Sequence, residues 1–158
     1  MKQLPLQNGK FALVDDEDFE WLSTWNWYCD VRQRACRTIH NEWTGRKHSI
    51  RMHRQIMGMI HDSSLDIDHI NGDGLDNRKA NLRICTHQQN MCNSKKTKSK
   101  MTSKFKGVCL IGGKWLAKIY FQNQQFPIGR FDNETDAARA YNRKALELHR
   151  KFARLNPV

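Results

Sequence analysis

The stretch DIDHINGDGLDNRKANLRICTHQQN, residues 66–90, decides how this sequence folds and what it can do. It sets an Asp–His pair, Asp68 and His69, ahead of two asparagines, Asn81 and Asn90. Asn, Asp and His are poor helix formers and poor strand formers. Their concentration here therefore predicts either one long surface loop or a functional site.

The flanking residues predict two strands and a helix around this polar stretch. In chain order they are a strand at 65–70, a tight turn at 71–74, a returning strand at 81–84 and a short helix through Asn93. Thr86 and Gln89 fit a capping box that opens this helix. Such an arrangement would bring Asp68, His69 and Asn90 toward one point.

Those side chains suit metal-assisted hydrolysis of a phosphodiester. Asp68 and Asn90 offer the oxygen ligands that Mg²⁺ prefers. The His69 imidazole, with an ordinary pKa of about 6.5, could take a proton from water. Asn81 could hold that ring in orientation. The alternative on the residues alone is a polar, turn-rich loop without catalytic function.

The run DHINGDGLDNRKANLR, followed by QQNMCN, resembles the HNH or ββα-metal endonucleases, in particular the phage and intron-encoded homing enzymes. The resemblance covers roughly residues 52–93. It implies that His69 is the general base, that Asp68 and Asn90 bind a divalent metal, and that Asn81 orients His69. The family's final His is Asn90 here, as in nicking homing endonucleases. Mg²⁺ is the expected ion, Mn²⁺ is the alternative, and no structural zinc is expected.

Net charge divides the chain into two parts. Residues 1–92 hold 12 basic and 12 acidic residues, whereas residues 93–158 hold 15 basic and 4 acidic ones. The whole excess of +11 therefore lies in the C-terminal part, as expected for a polyanion-binding module joined to a neutral one. We predict a nuclease domain at 1–92, a basic linker at 93–104 and a DNA-binding domain at 105–158.

The first sixty residues predict short strands followed by a helix. The strand candidates are 10–14, 26–31, 35–40 and 48–51, with a hairpin turn at 44–47. Apolar residues at helical spacing predict a helix over 52–60, which Gly58 weakens. His53 in this helix is expected to pack or to contact phosphate rather than to catalyse.

The C-terminal part predicts three strands, at 107–111, 115–121 and 125–129, and a helix over 133–149. Gly112-Gly113 and Gln122-Asn123 supply the turns, and Asn133 is the candidate N-cap. Three antiparallel strands packed on one helix would form a complete small domain. The overall expectation is an α+β protein: a ββα-metal nuclease domain with extra strands, then this sheet.

KGV, GKW, IGRF, DAARAYNRKAL and the closing LN resemble the Apetala-two, or ethylene-response-factor, DNA-binding domain over residues 104–156. The resemblance implies a three-stranded sheet that enters the DNA major groove. Cys109, Gly112 and Pro127 stand where the plant domains read bases, so their target sequence is not carried over. The expected DNA-contacting residues of the linker and sheet are Lys95, Lys96, Lys98, Lys100, Lys104, Lys106, Lys114, Trp115, Lys118 and Arg130.

Together these features predict a site-specific, homing-type endonuclease acting on double-stranded DNA. The alternative is a DNA-binding regulator in which the HNH segment is only a scaffold. No run is apolar enough for a membrane span or signal peptide, and five cysteines without CxxC spacing indicate a reducing compartment. We expect a cytoplasmic, phage-encoded monomer without a small-molecule cofactor; nicking and double-strand cleavage both remain open.

Overall fold

The computed structural model describes residues 1–96 and 102–158, and it has the mixed α+β composition predicted from the sequence. The chain forms two compact units, Met1–Thr86 and His87–Val158. The predicted boundary at 92/93 falls inside the second unit. None of the helices in the described ranges is long and apolar enough to cross a membrane.

The first unit consists of three small antiparallel sheets and two short helices. Its elements are β1 (Lys2–Pro5), β2 (Phe11–Val14), α1 (Asp16–Leu22), β3 (Tyr28–Cys29), β4 (Ala35–His40), β5 (Lys47–Arg51), α2 (Met52–Ile56), β6 (Asp66–His69), a 3₁₀ turn (Lys79–Asn81) and β7 (Leu82–Cys85). The strands pair as β1-β2, β3-β4-β5 and β6-β7. In the last hairpin Asp68 lies opposite Arg83, and His69 lies opposite Leu82.

Two apolar clusters hold this unit together. The larger one is built from β1 to β4, α1 and α2, and its buried members include Leu4, Val14, Leu22, Trp27 and Met52. A smaller cluster of Met59, Ile67 and Leu82 lies under the β6-β7 hairpin. The alternation of β6 explains this placement, because Ile67 points into the cluster while its neighbours in the strand point to the other face.

Helices α1 and α2 differ from their sequence-based expectations. The pattern predicts the acidic stretch at 15–20 only as a separator of strands, yet it forms α1, whose first turn carries Asp16, Glu17 and Asp18. Carboxylates are favourable at a helix N-terminus, which explains the helix. Helix α2 ends at Ile56 rather than at residue 60, because Gly58 adopts a left-handed φ of +68° that ends the helix.

The second unit contains α3 (His87–Asn93), β8 (Val108–Ile111), β9 (Lys114–Phe121), β10 (Gln124–Phe131), α4 (Glu134–His149) and a 3₁₀ turn (Arg150–Phe152). The strands form one antiparallel sheet in the order β10-β9-β8, with α4 packed on it. Both hairpin turns have two central residues with positive φ, Gly112-Gly113 and Gln122-Asn123. This geometry matches the twist of the flanking strands.

Particular side chains fix α4 and the chain around it. Asn133 caps α4 as predicted, since its Oδ1 accepts a hydrogen bond of 2.8 Å from the Asp136 amide. Gly107 is required by close packing: a Cβ there would lie 2.2 Å from the Tyr141 ring. Near the C-terminus, Asn156 bonds both the amide and the carbonyl of Lys106, at 2.7 and 3.0 Å. These contacts join the start and the end of the second unit.

Candidate active site and DNA-contact residues

Asp68 and His69 occupy the last two positions of β6, where the strand turns into a polar loop at residues 70–81. Both side chains are buried, at 5% and 8% exposure. Strand pairing with β7 fixes the backbone of both residues. The predicted catalytic pair is therefore held by the sheet, while the loop determines its polar surroundings.

The loop is held by its own asparagine and aspartate side chains. The Asn81 carboxamide accepts from the Asn71 amide at 3.0 Å and donates to the Asp76 carbonyl at 2.8 Å. Asp76, only 1% exposed, receives two hydrogen bonds from Arg78, at 2.7 and 2.6 Å. These bonds lower the pKa of the Asp76 carboxyl. The loop is thus rigid without a regular secondary structure.

Backbone bonds to β2 hold the same loop from the other side. The Leu13 amide donates to the Leu75 carbonyl, and the Asn77 amide donates to the Leu13 carbonyl, each at 2.8 Å. Asp76 therefore forms an isolated parallel bridge with Leu13. This non-local contact explains why Asn77 is fully buried.

His69 lies between Asn77 and His53. Its Nε2 is 3.4 Å from the Asn77 Oδ1, and its ring meets the His53 ring edge to face, with centroids 4.9 Å apart. Burial lowers the pKa of His69 below its ordinary value, although the Asn77 contact and the Asp68 charge act in the opposite direction. The imidazole is therefore neutral near pH 7 and able to accept a proton.

His53 supports His69 by packing. It is 4% exposed, and burial together with the nearby His69 lowers its pKa to about 3. Among the described residues its buried Nδ1 has no hydrogen-bond partner. His53 is therefore a neutral ring against His69, which agrees with the packing role expected for it.

Asp68 pairs with Arg83 across the β6-β7 hairpin. The Arg83 Nε and Nη2 lie 2.9 and 2.6 Å from the Asp68 Oδ2. Both residues are largely buried. The sequence-based site does not include Arg83, but its place in the returning strand, opposite the first strand of the motif, is a signal that could have found it.

Asn81 and Asn90 lie in different parts of the fold. The Asn81 side chain bonds the loop, and Asn77 is the asparagine beside the His69 ring. The hydrogen bonds of the Asn81 side chain go to Asn71 and Asp76, so the orienting of His69 by Asn81 stays a prediction. Asn90 lies on α3, in the second compact unit.

The donors around Asp68 suit a hard cation. Carboxylate oxygens are preferred by Mg²⁺ and Mn²⁺. Within the described ranges there is no cluster of three or more His, Cys, Asp or Glu side chains that could hold a metal ion. Asp68 is therefore the one carboxylate in the predicted ligand set, and its role as a metal ligand stays a prediction.

The predicted DNA-contacting lysines fall into two groups. The Lys96 ammonium lies 2.8, 2.5 and 3.2 Å from the carbonyls of Ser103, Phe105 and Val108. Lys106 donates to the carbonyls of Met91, Cys92 and Ser94, and burial lowers its pKa to about 8. The ammonium groups of these two lysines are therefore bonded to the protein backbone, and their contact with DNA stays a prediction. Lys98 and Lys100 lie outside the described residues.

The sheet of the second unit has one face covered by α4 and one open face. Ala117 and Ile119 face α4, and Trp115 packs on the same side against Phe105 and Val108. Trp115 therefore lies on the helix-facing side of the sheet, because side chains alternate along a strand, and its contact with DNA stays a prediction.

The alternate positions of the strands carry the charges of the open face. Lys114 and Lys118 alternate with the helix-facing residues of β9, and Arg130 is paired with Leu116 across the sheet. Lys114 forms an ion pair with Asp132. Lys95 and Lys104 are also exposed. The basic residues that can reach a ligand are therefore fewer than the sequence suggested.

Comparisons with known proteins agree on one family. Residues 52–92 match the family model described as HNH endonuclease. A protein of Acanthamoeba polyphaga mimivirus, named as an uncharacterized HNH endonuclease, is 28% identical over 155 residues, covering 95% of this chain and 76% of the viral protein. No solved structure matches the chain. The matched segment contains Asp68, His69, Asn81 and Asn90, and both comparisons support the nuclease class.

Proposed function

We propose that this protein is a metal-dependent DNA endonuclease of the site-specific, homing type. The observation that carries the proposal is the neutral, buried His69 beside Asp68 at a strand end, within the segment similar to HNH endonucleases. Burial also lowers the pKa of His53, so what distinguishes His69 is its position beside the Asp68 carboxylate within the matched segment. A perturbed histidine beside a carboxylate is typical of catalytic sites.

In this proposal His69 is the general base. The Asn77 Oδ1 beside Nε2 favours the tautomer with its proton on Nε2. The Nδ1 lone pair would then take a proton from the attacking water. The resulting hydroxide would attack phosphorus while the bond from phosphorus to one sugar oxygen breaks, and that leaving oxygen would take a proton from solvent. His53 keeps the ring in place, and its own low pKa leaves it uncharged.

Asp68 would hold the divalent ion, with Asn90 as the second protein ligand. When bound, a divalent ion stabilises the negative charge that develops on the phosphate and the leaving oxygen. The Arg83 guanidinium shares the Asp68 carboxylate. Its positive charge limits the affinity of Asp68 for a cation, and its two hydrogen bonds keep the carboxylate oriented.

The second unit would bind the target duplex through the open face of its sheet. Lys118 and Arg130 are the proposed sheet contacts, and Lys114, Lys95 and Lys104 add positive charge nearby. Phosphate contacts position a protein on DNA, whereas contacts to base edges give sequence preference. A monomer on an asymmetric site would nick one strand, because one active site faces one phosphodiester.

Plasmid cleavage tests the proposal directly. Supercoiled DNA would be incubated with the protein, with Mg²⁺ or Mn²⁺ or with a chelator, and the open-circular and linear products would be separated on a gel. His69→Ala should lower the metal-dependent rate by roughly 10²–10⁴-fold. His61→Ala, which removes an exposed histidine of the same unit, is the matched control and should cut normally.

The outcomes separate the nuclease from a regulator. If DNA binding persists while neither the native protein nor the control cuts with either metal, the protein is a DNA-binding regulator with an HNH scaffold. Calorimetric titration with Mn²⁺ gives a second readout that does not depend on cleavage. Asp68→Asn should weaken that binding, whereas Asp62→Asn, an exposed control, should not.

A further inference from the structure

A cleft of about 290 Å³ lies in the first unit, beside α2. Strands β4 and β5 supply Cys36, Ser49, Ile50 and Arg51, the β3-β4 loop supplies Asp30 and Arg34, and α2 with the segment after it supplies Arg54 and Ile60. Three guanidinium groups therefore face one carboxylate. This surplus of positive charge indicates an anionic ligand.

One of the three arginines is already neutralised. The Arg34 Nε and Nη2 lie 3.0 and 2.7 Å from the Asp30 Oδ2. Asp30 also accepts from the backbone amides of Arg32 and Arg34, each at 2.9 Å. The hydrogen bonds of the Asp30 carboxylate to Arg32 and Arg34 thus lie within its own loop, and in the described ranges neither Arg51 nor Arg54 forms an ion pair with a carboxylate.

Arg54 is fixed in place with one donor unused. Its Nε donates to the Met59 carbonyl at 2.9 Å, and its Nη1 donates to the Leu65 carbonyl at 3.2 Å. Its Nη2 is buried and has no hydrogen-bond partner among the described residues. A buried guanidinium N–H without a partner is costly, and a ligand oxygen in the cleft would relieve that cost.

Arg51 stands at the mouth of the cleft. Its side chain has exposed surface, yet burial of its inner part and repulsion from Arg34 and Arg54 lower its pKa. Within residues 1–96 and 102–158 its guanidinium has no hydrogen bond or ion pair. The Asp30 charge offsets part of this repulsion, but Arg51 forms no ion pair with a carboxylate among the described residues.

We propose that this cleft binds a phosphate of the DNA backbone, with Arg51 and the Nη2 of Arg54 as its donors. The planar guanidinium fork matches two phosphate oxygens, and the two positive charges exceed the single negative charge of a phosphodiester. The Ser49 hydroxyl lines the same wall and can donate a further bond.

The position of α2 gives this phosphate site its role. The helix carries Arg54 into the cleft and, one residue earlier, carries His53 against the His69 ring. A backbone phosphate held here is not the reacting one; it fixes the register of the strand relative to His69. The inference rests on the proposed nuclease function, since that function supplies the DNA.

Binding without cleavage tests the site. The full-length protein in chelator would be titrated with a fluorescein-labelled duplex at several salt concentrations, and the anisotropy would be recorded. Arg51→Gln should weaken binding by about tenfold at low salt and reduce the salt slope by about one. Arg46→Gln removes an equal charge from the other end of the β4-β5 hairpin, and it should change binding by less than about twofold.

Each outcome has one meaning. Equal weakening in Arg51→Gln and Arg46→Gln would overturn the site in favour of a diffuse charge effect. In a second titration, inorganic phosphate replaces the duplex. If phosphate binds the native protein tightly, does not bind Arg51→Gln and leaves the duplex affinity unchanged, the cleft binds a free anion. That result would overturn the DNA contact. Cleavage by the native protein in Mg²⁺ is measured separately. A wrong assignment of the cleft and a wrong assignment of the nuclease function therefore give different results.

Discussion

The loop after His69 and the open face of the C-terminal sheet use similar polar residues in opposite ways. In the loop, Asn71, Asp76 and Asn81 are bonded to one another and to the backbone, and little of them reaches solvent. On the sheet, Lys118 and Arg130 project from a face that no other described element of the second unit covers. The first arrangement fixes a geometry, whereas the second offers charge to a partner.

The comparison teaches that residue type alone does not tell which role a polar side chain plays. Lys96 and Lys106 come from the same basic stretch of sequence as Lys104, yet their ammonium groups are bonded to backbone carbonyls. A lysine whose ammonium group is surrounded by backbone carbonyls stabilises the fold, whereas a lysine without such carbonyls can bind a ligand.

Asn81→Ala should have the largest effect on folding. It leaves the Asn71 amide and the Asp76 carbonyl without partners, at a cost of about 2–3 kcal/mol in the free energy of unfolding. Asn77→Ala is the matched change, because it removes the carboxamide oxygen that faces the His69 ring. Urea unfolding and the cleavage rate would be measured together.

We expect Asn81→Ala to lower stability most and Asn77→Ala to lower the cleavage rate about tenfold with the smaller decrease in stability. The contrast fails if both variants reduce each property by the same amount. That result would mean that the loop acts on His69 as one unit.

The second prediction concerns the pH dependence of stability. The pKa of His53 is about 3 in the folded protein and about 6.5 when unfolded, so the unfolded chain binds more protons between these values. The unfolding free energy is therefore intact above pH 6.5 and is lost as the pH falls, with a slope of up to about 1.4 kcal/mol per pH unit.

His53→Phe keeps a ring against His69 and removes this titration. Urea unfolding between pH 6.5 and 5 should then show a flatter slope than in the native protein, by close to one proton. His48→Phe, at an exposed position, is the control and should leave the slope as it is. An unchanged slope in His53→Phe would show that His53 is hydrated or charged in solution.

The smallest effects separate the two kinds of lysine. Lys106→Met should lower the stability of the second unit by about 1–2 kcal/mol, since the carbonyls of Met91, Cys92 and Ser94 lose their donor. Lys118→Ala should leave stability unchanged and relax the sequence preference of DNA binding. Equal weakening on every sequence would make Lys118 a phosphate contact instead.

Local patterns predict much of this molecule. The Asn133 cap is confirmed, and the observed strands β8 to β10 overlap the three segments predicted from their residues and turns. Helix α1 is not predicted, because an acidic run is typical of a loop unless its place at a helix N-terminus is weighed. The contacts of Asn77 and Arg51 could not be predicted, since each depends on neighbours from another element.

The residue pattern alone identifies an Asp–His pair in a polar stretch and a division of the chain into a neutral first part and a basic second part. It also identifies the hairpin turns of the second unit, which have positive φ. These features are local, so they can be read in order along the chain. The tertiary structure was needed to show which asparagine contacts His69, which lysines bond backbone carbonyls and where three arginines line one cleft. Such partners come together through strand pairing and burial, which join residues far apart in sequence.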